Sequence, residues 1–223
     1  MDTKFEDIVS EIKKTVDLFP YNIAIIEDGI PTLSYSQMWE DATCIANRLK
    51  EQCDSSEYVT VELPKSSRYI CAILGCWMAG KAFVPIGKDL PDSRKRYIEE
   101  TVDTNLSITE YNYDDFFKSQ PIDSVETLTA STPAYVIFSS GTTGKPKGIL
   151  VGHSGLVNLA RCKRKAFRLT KHSRSLFFLS INFDASISDI LVTLTSGGAL
   201  VVETTDSVEL SDHLLSIINK RGV

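Results

Sequence analysis

Long apolar runs are missing from this 223-residue chain. The longest, residues 69–80, is too short to span a bilayer and ends against Lys81. The opening MDTKFEDIVSEIKK has no apolar core of signal-peptide type. A soluble, cytoplasmic protein with no membrane partner is expected. Histidine is scarce, at three residues. The five cysteines, Cys44, Cys53, Cys71, Cys76 and Cys162, show no Cys-x-x-Cys spacing. An odd, scattered set argues against a disulfide framework or a structural zinc site and fits a reducing compartment. Excess positive charge is absent too: 24 Lys and Arg against 29 Asp and Glu leave −5. That balance disfavours a nucleic-acid partner. Internal repeats, low-complexity tracts and a clear linker are also lacking, so residues 1–223 are expected to form one unit.

What is present is an ordinary globular composition, 43% hydrophobic and 24% charged. Apolar residues recur at helical spacing over 4–18, with Phe5, Ile8, Val9, Ile12 and Val16. AIIE, Asp28-Gly29 and TLSY predict two strands around a tight turn. Beyond them helical and strand patterns alternate: a helix around 38–49, strand YVTVEL, a buried helix over 66–78 with Gly80 as its cap, and strand AFVPI. Residues 113–133 read as the loosest stretch. Strand AYVIFSS, strand GILVG, a helix over 153–167, strand SLFFLS, a helix over 184–194, strand ALVVE and a last helix over 208–219 follow. This alternation predicts an α/β fold with a mostly parallel sheet covered by helices on both faces. A helix at the end of such a chain normally feeds another strand, so the stop after Val223 suggests an interrupted fold.

The segment richest in chemistry is Ser139-Ser140-Gly141-Thr142-Thr143-Gly144-Lys145-Pro146-Lys147-Gly148. Its glycines let backbone N–H groups approach a ligand, its hydroxyls can meet phosphate oxygens or a magnesium ion, and its lysines add positive charge. It is not a P-loop of the G-x-x-x-x-G-K-[ST] type. Ser139 stands where that motif starts with glycine, and Pro146 stands where it needs a hydroxyl. A Gly/Ser/Thr surface loop is the alternative from composition alone. Asp184 precedes an apolar helical pattern, with Ser186-x-x-Asp189 behind it, and reads as a helix N-cap with a variant capping box. The run 161–174 holds Arg161, Lys163, Arg164, Lys165, Arg168, Lys171 and Arg174 without an acid, and reads as a solvated helix end. His153 reads as a structural contact, and Trp39 and Trp77 as core.

FSSGTTGKPKGI resembles the phosphate-loop signature of adenylate-forming enzymes, which include acyl-CoA ligases, luciferases and the adenylation domains of nonribosomal peptide synthetases. LSYSQM (33–38), MAGKAFVPI (78–86), LPDSRKRYIEE (90–100), VGHSGLVN (151–158) and FDASISDI (183–190) are similar to further elements of that family, in its order. The resemblance implies the incomplete N-terminal part of an adenylate-forming fold. It implies ATP and Mg2+, with Ser139, Ser140, Gly141, Thr142, Thr143, Gly144 and Lys147 on the phosphates, Lys147 acting catalytically and the Ser139 hydroxyl reaching the metal. Asp184 aligns with the aspartate that grips the substrate α-ammonium in amino-acid-activating members. Ala185 and Ser188 align with the next pocket-lining positions. The implied reaction forms aminoacyl-AMP and pyrophosphate, then passes the acyl group to the phosphopantetheine thiol of a carrier protein.

Two departures stand against the family pattern. Gly87 replaces the usual aspartate after VPI. The resemblance covers only the front half of the domain, so the elements for adenine, ribose and the C-terminal lysine would come from the remainder. The chain alone is therefore expected to bind ATP weakly and turn over negligibly. A non-catalytic relative serving binding or assembly, and an acyl-CoA ligase type enzyme, stay open as alternatives.

Overall fold

The computed structural model describes residues 6–52, 55–118, 120–121, 125–139, 146–204 and 207–223, the side chains of 207–213 excepted. Helix α1 (Ile8–Leu18) begins at Asp7, whose carboxylate accepts from the Ser10 N–H at 2.9 Å. The cap shortens the helix predicted from residue 4, because Asp7 holds extended backbone there. Strands β1 (Ile23–Glu27) and β2 (Ile30–Ser34) form the expected hairpin. Ser34 and Gln37 close a capping box at the start of α2 (Tyr35–Glu51).

Strand β3 (Tyr58–Glu62), helix α3 (Ser67–Met78) and strand β4 (Ala82–Pro85) follow. Gly80, at φ +71°, ends α3 as predicted. The Lys81 N–H returns to the Cys76 carbonyl at 2.9 Å and the Gly80 N–H to the Trp77 carbonyl at 3.0 Å, so a left-handed residue closes the helix. Next come α4 (Asp92–Val102) and β5 (Ser107–Thr109). The stretch after residue 112 is less loose than its composition predicts. Tyr113 and Phe116 lie buried in a 3-10 turn, and the Arg68 guanidinium stacks 4.8 Å from the Tyr113 ring.

Strands β6 (Pro133–Ser139) and β7 (Lys147–Gly152) lead to α5 (His153–Ala166), β8 (Arg174–Phe177), α6 (Ala185–Leu194), β9 (Ala199–Val202) and α7 (Ser207–Arg221). The strands form two sheets, ordered β2-β1-β9-β8 and β5-β3-β4-β6-β7. Pairing is mostly parallel, as the alternation predicts; the hairpins β1–β2 and β6–β7 are antiparallel. The segment between β6 and β7 is too short for a crossover helix, which forces a hairpin.

Strand alternation explains the layers. Phe83, Tyr135 and Ile137 point into the main core, which joins both sheets to α1, α2, α3, α5 and α6. Val84 and Val136 point to the opposite face, where Ile98 and Val102 of α4 cover them. Helices therefore sit on both faces of the five-stranded sheet. Trp77 anchors the centre: its indole donates to the Ala134 carbonyl at 2.8 Å. His153, fully buried, stands edge-on to it at 5.8 Å. Burial lowers the His153 pKa to about 4, while the Asp7 charge opposes that shift. No helix among the described residues is long and apolar enough to cross a membrane.

Candidate active site

A cavity of about 470 Å³ opens where three elements converge. The β6–β7 hairpin contributes Phe138, Ser139 and Ile149, and the segment entering α4 contributes Leu90, with Arg94 and Ile98 from the helix. The turn before α6 contributes Asn182, Phe183 and Asp184. The floor is β6, through Tyr135 and Ile137. Mostly apolar walls with a few convergent polar groups suit a small ligand.

Ser139 is exposed at the end of β6, cross-strand from Lys147 at the start of β7. The pair is the last of the β6–β7 register before residues 140–145. Ser140, Gly141, Thr142, Thr143 and Gly144 lie outside the described residues. Ser139 lines the cavity; Lys147 is exposed and does not. The loop links two strands, not a strand and a helix, which accounts for the failed match to a P-loop.

Asp184 does not cap its helix. Its backbone is helical, at φ −58° and ψ −32°, and its carboxylate makes no capping bond. A capping side chain needs extended backbone to reach back to the first N–H groups. The expected capping box is likewise absent: the Ser186 hydroxyl donates to the Phe183 carbonyl at 2.6 Å. Asp189, half-buried, accepts from the Phe178 N–H, and burial raises its pKa to about 6. The Asp184 side chain has no ion pair among the described residues and is exposed on the cavity rim. The Tyr135 phenol below it is pushed up to about 12, by burial first and by the Asp184 charge second.

Ala185 is exposed on the first turn of α6. Ser188, one turn further, is buried toward α5, and its Oγ accepts from the Lys163 ammonium at 2.7 Å. It does not line this cavity. The basic run is largely exposed, as its composition predicts, but several of its cations also have partners. Arg161 pairs with Glu6 and Glu11 of the α1 region, and Arg164 donates to the Thr195 carbonyl at 2.7 Å. Its cations tie α5 to α1 and α6.

Gly87 sits against Asn182. Its N–H donates to Asn182 Oδ1 at 3.1 Å, and a Cβ there would lie 2.3 Å from Asn182 Nδ2. The contact joins the segment after β4 to the turn before α6 at the cavity edge. Asn182, Arg94 and Tyr97 are site features that sequence reasoning missed. Leu90, Arg94 and Ile98 fall at intervals of four, so a cation within an apolar helical stripe was the available signal for Arg94. Among the described residues no group of three or more His, Cys, Asp or Glu could hold a metal.

The chain belongs to the AMP-binding enzyme family, which it matches over residues 12–127 and 110–223. It is 30% identical to tyrocidine synthase 1 of Brevibacillus parabrevis over 226 residues, covering 92% of this chain and 21% of that protein. Among solved structures, the nonribosomal peptide synthetase FmoA3 (S1046A) superposes with a TM-score of 0.80 in a form bound to α-methyl-L-serine-AMP. Identity there is 26%, covering 88% of this chain and 24% of FmoA3. The AMPPNP-bound form gives a TM-score of 0.80 at 25% identity, over 90% of this chain and 23% of that one. The resemblance to adenylation domains of nonribosomal peptide synthetase type is thus borne out, and the chain spans about a fifth of tyrocidine synthase 1.

Proposed function

We propose that this chain is the N-terminal portion of an amino-acid adenylation domain, residues 1–223 forming one unit of it. The observation that carries this reading is the shared cavity: Ser139 at the head of the loop hairpin on one side, uncapped Asp184 on the other. Asp184 would hold the substrate ammonium, since a buried cation needs a carboxylate partner. Ala185 and Ser188 would shape the wall behind it, with Lys163 bonded to Ser188 from α5. A carboxylate oxygen of the amino acid attacks the α-phosphorus of ATP; the bond from that phosphorus to the bridging oxygen breaks and pyrophosphate leaves. The loop from Ser139 through Ser140, Gly141, Thr142, Thr143 and Gly144, with Lys147 at its base, would stabilise the negative charge that gathers on the phosphate oxygens.

Mg2+ would supply Lewis acidity on those oxygens. The Ser139 hydroxyl is the ligand offered here. A single hard oxygen suits an ion that keeps its phosphate and water ligands. The acyl group would then pass to a carrier-protein phosphopantetheine thiol. The FmoA3 forms with α-methyl-L-serine-AMP and AMPPNP support this reading.

The test is amino-acid-dependent ATP–pyrophosphate exchange, run on this chain and on a form extended to the family's full domain. We expect exchange only in the extended form, with the stimulating amino acid naming the pocket. Exchange stimulated by acids without an amino group would point to an acyl-CoA ligase type. Exchange in neither form, with ATP binding absent, would indicate a non-catalytic relative.

A further inference from the structure

We propose that Asn182 is a positioning residue for Asp184, fastening the turn that carries it to Gly87. This rests on the reading of Asp184 as the substrate contact. Asn182, Phe183 and Asp184 line the cavity together. The Asp184 carboxylate makes no capping bond, so its own side chain does not fix the turn. A group that must meet a ligand charge has to be held by its surroundings. Two neighbours supply the hold. Ile181 packs inward, in the main core. Asn182 reaches sideways, and its Oδ1 accepts from the Gly87 N–H at 3.1 Å. The backbone passes that hold along. The Phe183 N–H returns to the Ser180 carbonyl at 3.0 Å, the Ser186 N–H to the Phe183 carbonyl at 3.0 Å and the Ile187 N–H to the Asp184 carbonyl at 3.0 Å. A shift at Asn182 therefore reaches Asp184 through one continuous run of turn and helix bonds.

The other end of the tether is firm. Ile86 is fully buried and its N–H donates to the Val61 carbonyl at 2.9 Å, while the Leu90 N–H returns to the Gly87 carbonyl at 3.1 Å. Gly87 is buried too, so losing Asn182 would leave its N–H unpaired, which is costly. The amide is also fixed in sense, because an N–H2 group facing the Gly87 N–H would set donor against donor. A Cβ at position 87 would lie 2.3 Å from Asn182 Nδ2 and 2.8 Å from Oδ1. The Asn182 amide thus fills the room where a residue-87 side chain would begin. Gly87 does not hold left-handed backbone, so alanine suits its conformation and acts by pushing the Asn182 amide aside. Removing the Asn182 side chain and adding one at 87 break the same contact from opposite ends.

The test is a double-mutant cycle on Asn182→Ala and Gly87→Ala, read in two ways. In the 223-residue chain, the 15N–1H signals of Gly87 and Asp184 and the hydrogen exchange of the Gly87 amide report the tether. We expect both variants to shift the Asp184 signal and to speed exchange at Gly87 roughly tenfold. In the extended domain, each should raise the amino-acid KM in ATP–pyrophosphate exchange roughly threefold to tenfold, the range of one lost hydrogen bond. The maximal rate and the ATP KM should stay within about twofold, a split that general loosening of the fold would not give. The double variant should be no worse than either single one, because both break one contact. Asn182→Asp, which keeps an acceptor at the same reach, should keep the Gly87 amide protected. Should Asn182→Ala misfold by circular dichroism, Gly87→Ala and Asn182→Asp decide the matter. An unmoved Asp184 signal overturns the proposal, and so do additive effects or an equal rise in the ATP KM. An Asp184 signal moved by both variants, with no exchange in any extended form, would uphold the positioning while sinking the adenylation reading. Exchange at the parent amino-acid KM in both variants would sink this inference alone.

Discussion

Two aspartates stand at the start of two helices, and they do different things. Asp7 takes extended backbone, accepts from the Ser10 N–H and its hydroxyl, and closes α1. Asp184 takes helical backbone, caps nothing and faces a cavity. The surroundings follow suit. Asp7 lies close enough to the buried His153, which packs on Trp77, for its charge to act on that ring. Asp184 lies where hairpin, α4 and α6 leave a gap. The pair teaches that an aspartate before an apolar helix is a cap only if its φ and ψ let it reach back. When they do not, the carboxylate is available for a ligand.

The largest effect should come from removing the charge on the open side. Asp184→Asn in the extended domain should lower amino-acid-dependent exchange roughly a hundredfold, as expected for losing a charge-assisted bond to an ammonium. Its melting temperature should stay within about 2 °C, because an exposed, unpaired carboxylate contributes little to the fold. A variant that melts far earlier would show that Asp184 supports structure after all and erase the contrast with Asp7.

The next effect tests the sealed side. His153 is fully buried and neutral, its pKa lowered to about 4 from an ordinary 6.5. A depressed histidine pKa means the unfolded chain binds the extra proton first. Its contribution is therefore complete above pH 6.5 and is lost as pH falls toward 4, by up to ~3 kcal/mol. Asp189 works in the opposite sense. Its raised pKa makes stability fall as pH rises from about 4 to about 6. His153→Phe keeps a ring on Trp77 and removes only the first term. Thermal melts at pH 7.5 and pH 4.5 should show a smaller acid-induced loss in the variant than in the parent. Equal losses would mean that His153 is not sealed.

Much of this architecture was legible in sequence. Periodicity located the helices and strands, and Asp28-Gly29 and Gly80 marked the turn and the cap that form. What stayed hidden depended on contacts between distant segments. The split into two sheets follows from strand partners, β1 with β9 and β4 with β6, which no local pattern encodes. Gly87 stands where the resemblance implies aspartate, and the partner of its N–H, the Asn182 side chain, lies 95 positions away. The partner of Ser188 is the Lys163 ammonium, which reaches it from α5, 25 positions away. The buried Nε of Arg94 shows only once α4 is laid on β6 and β7.

The smallest effect closes the comparison. Asp7→Ala removes the two bonds that the carboxylate makes to Ser10 and leaves the first turn of α1 without its side-chain cap. Caps of this kind contribute about 1 kcal/mol. The helix itself should persist, because Ile8, Val9, Ile12 and Val16 stay packed in the core. Loss of the Asp7 charge also removes an influence that raises the His153 pKa. The variant should therefore melt a few degrees lower at pH 7.5, show an unchanged exchange rate in the extended domain, and lose slightly more stability on acidification than the parent. Urea titration at two pH values measures all but the exchange. If Asp7→Ala left stability untouched while reducing exchange, the two helix starts would have traded roles, and the rule drawn from their backbone angles would fail.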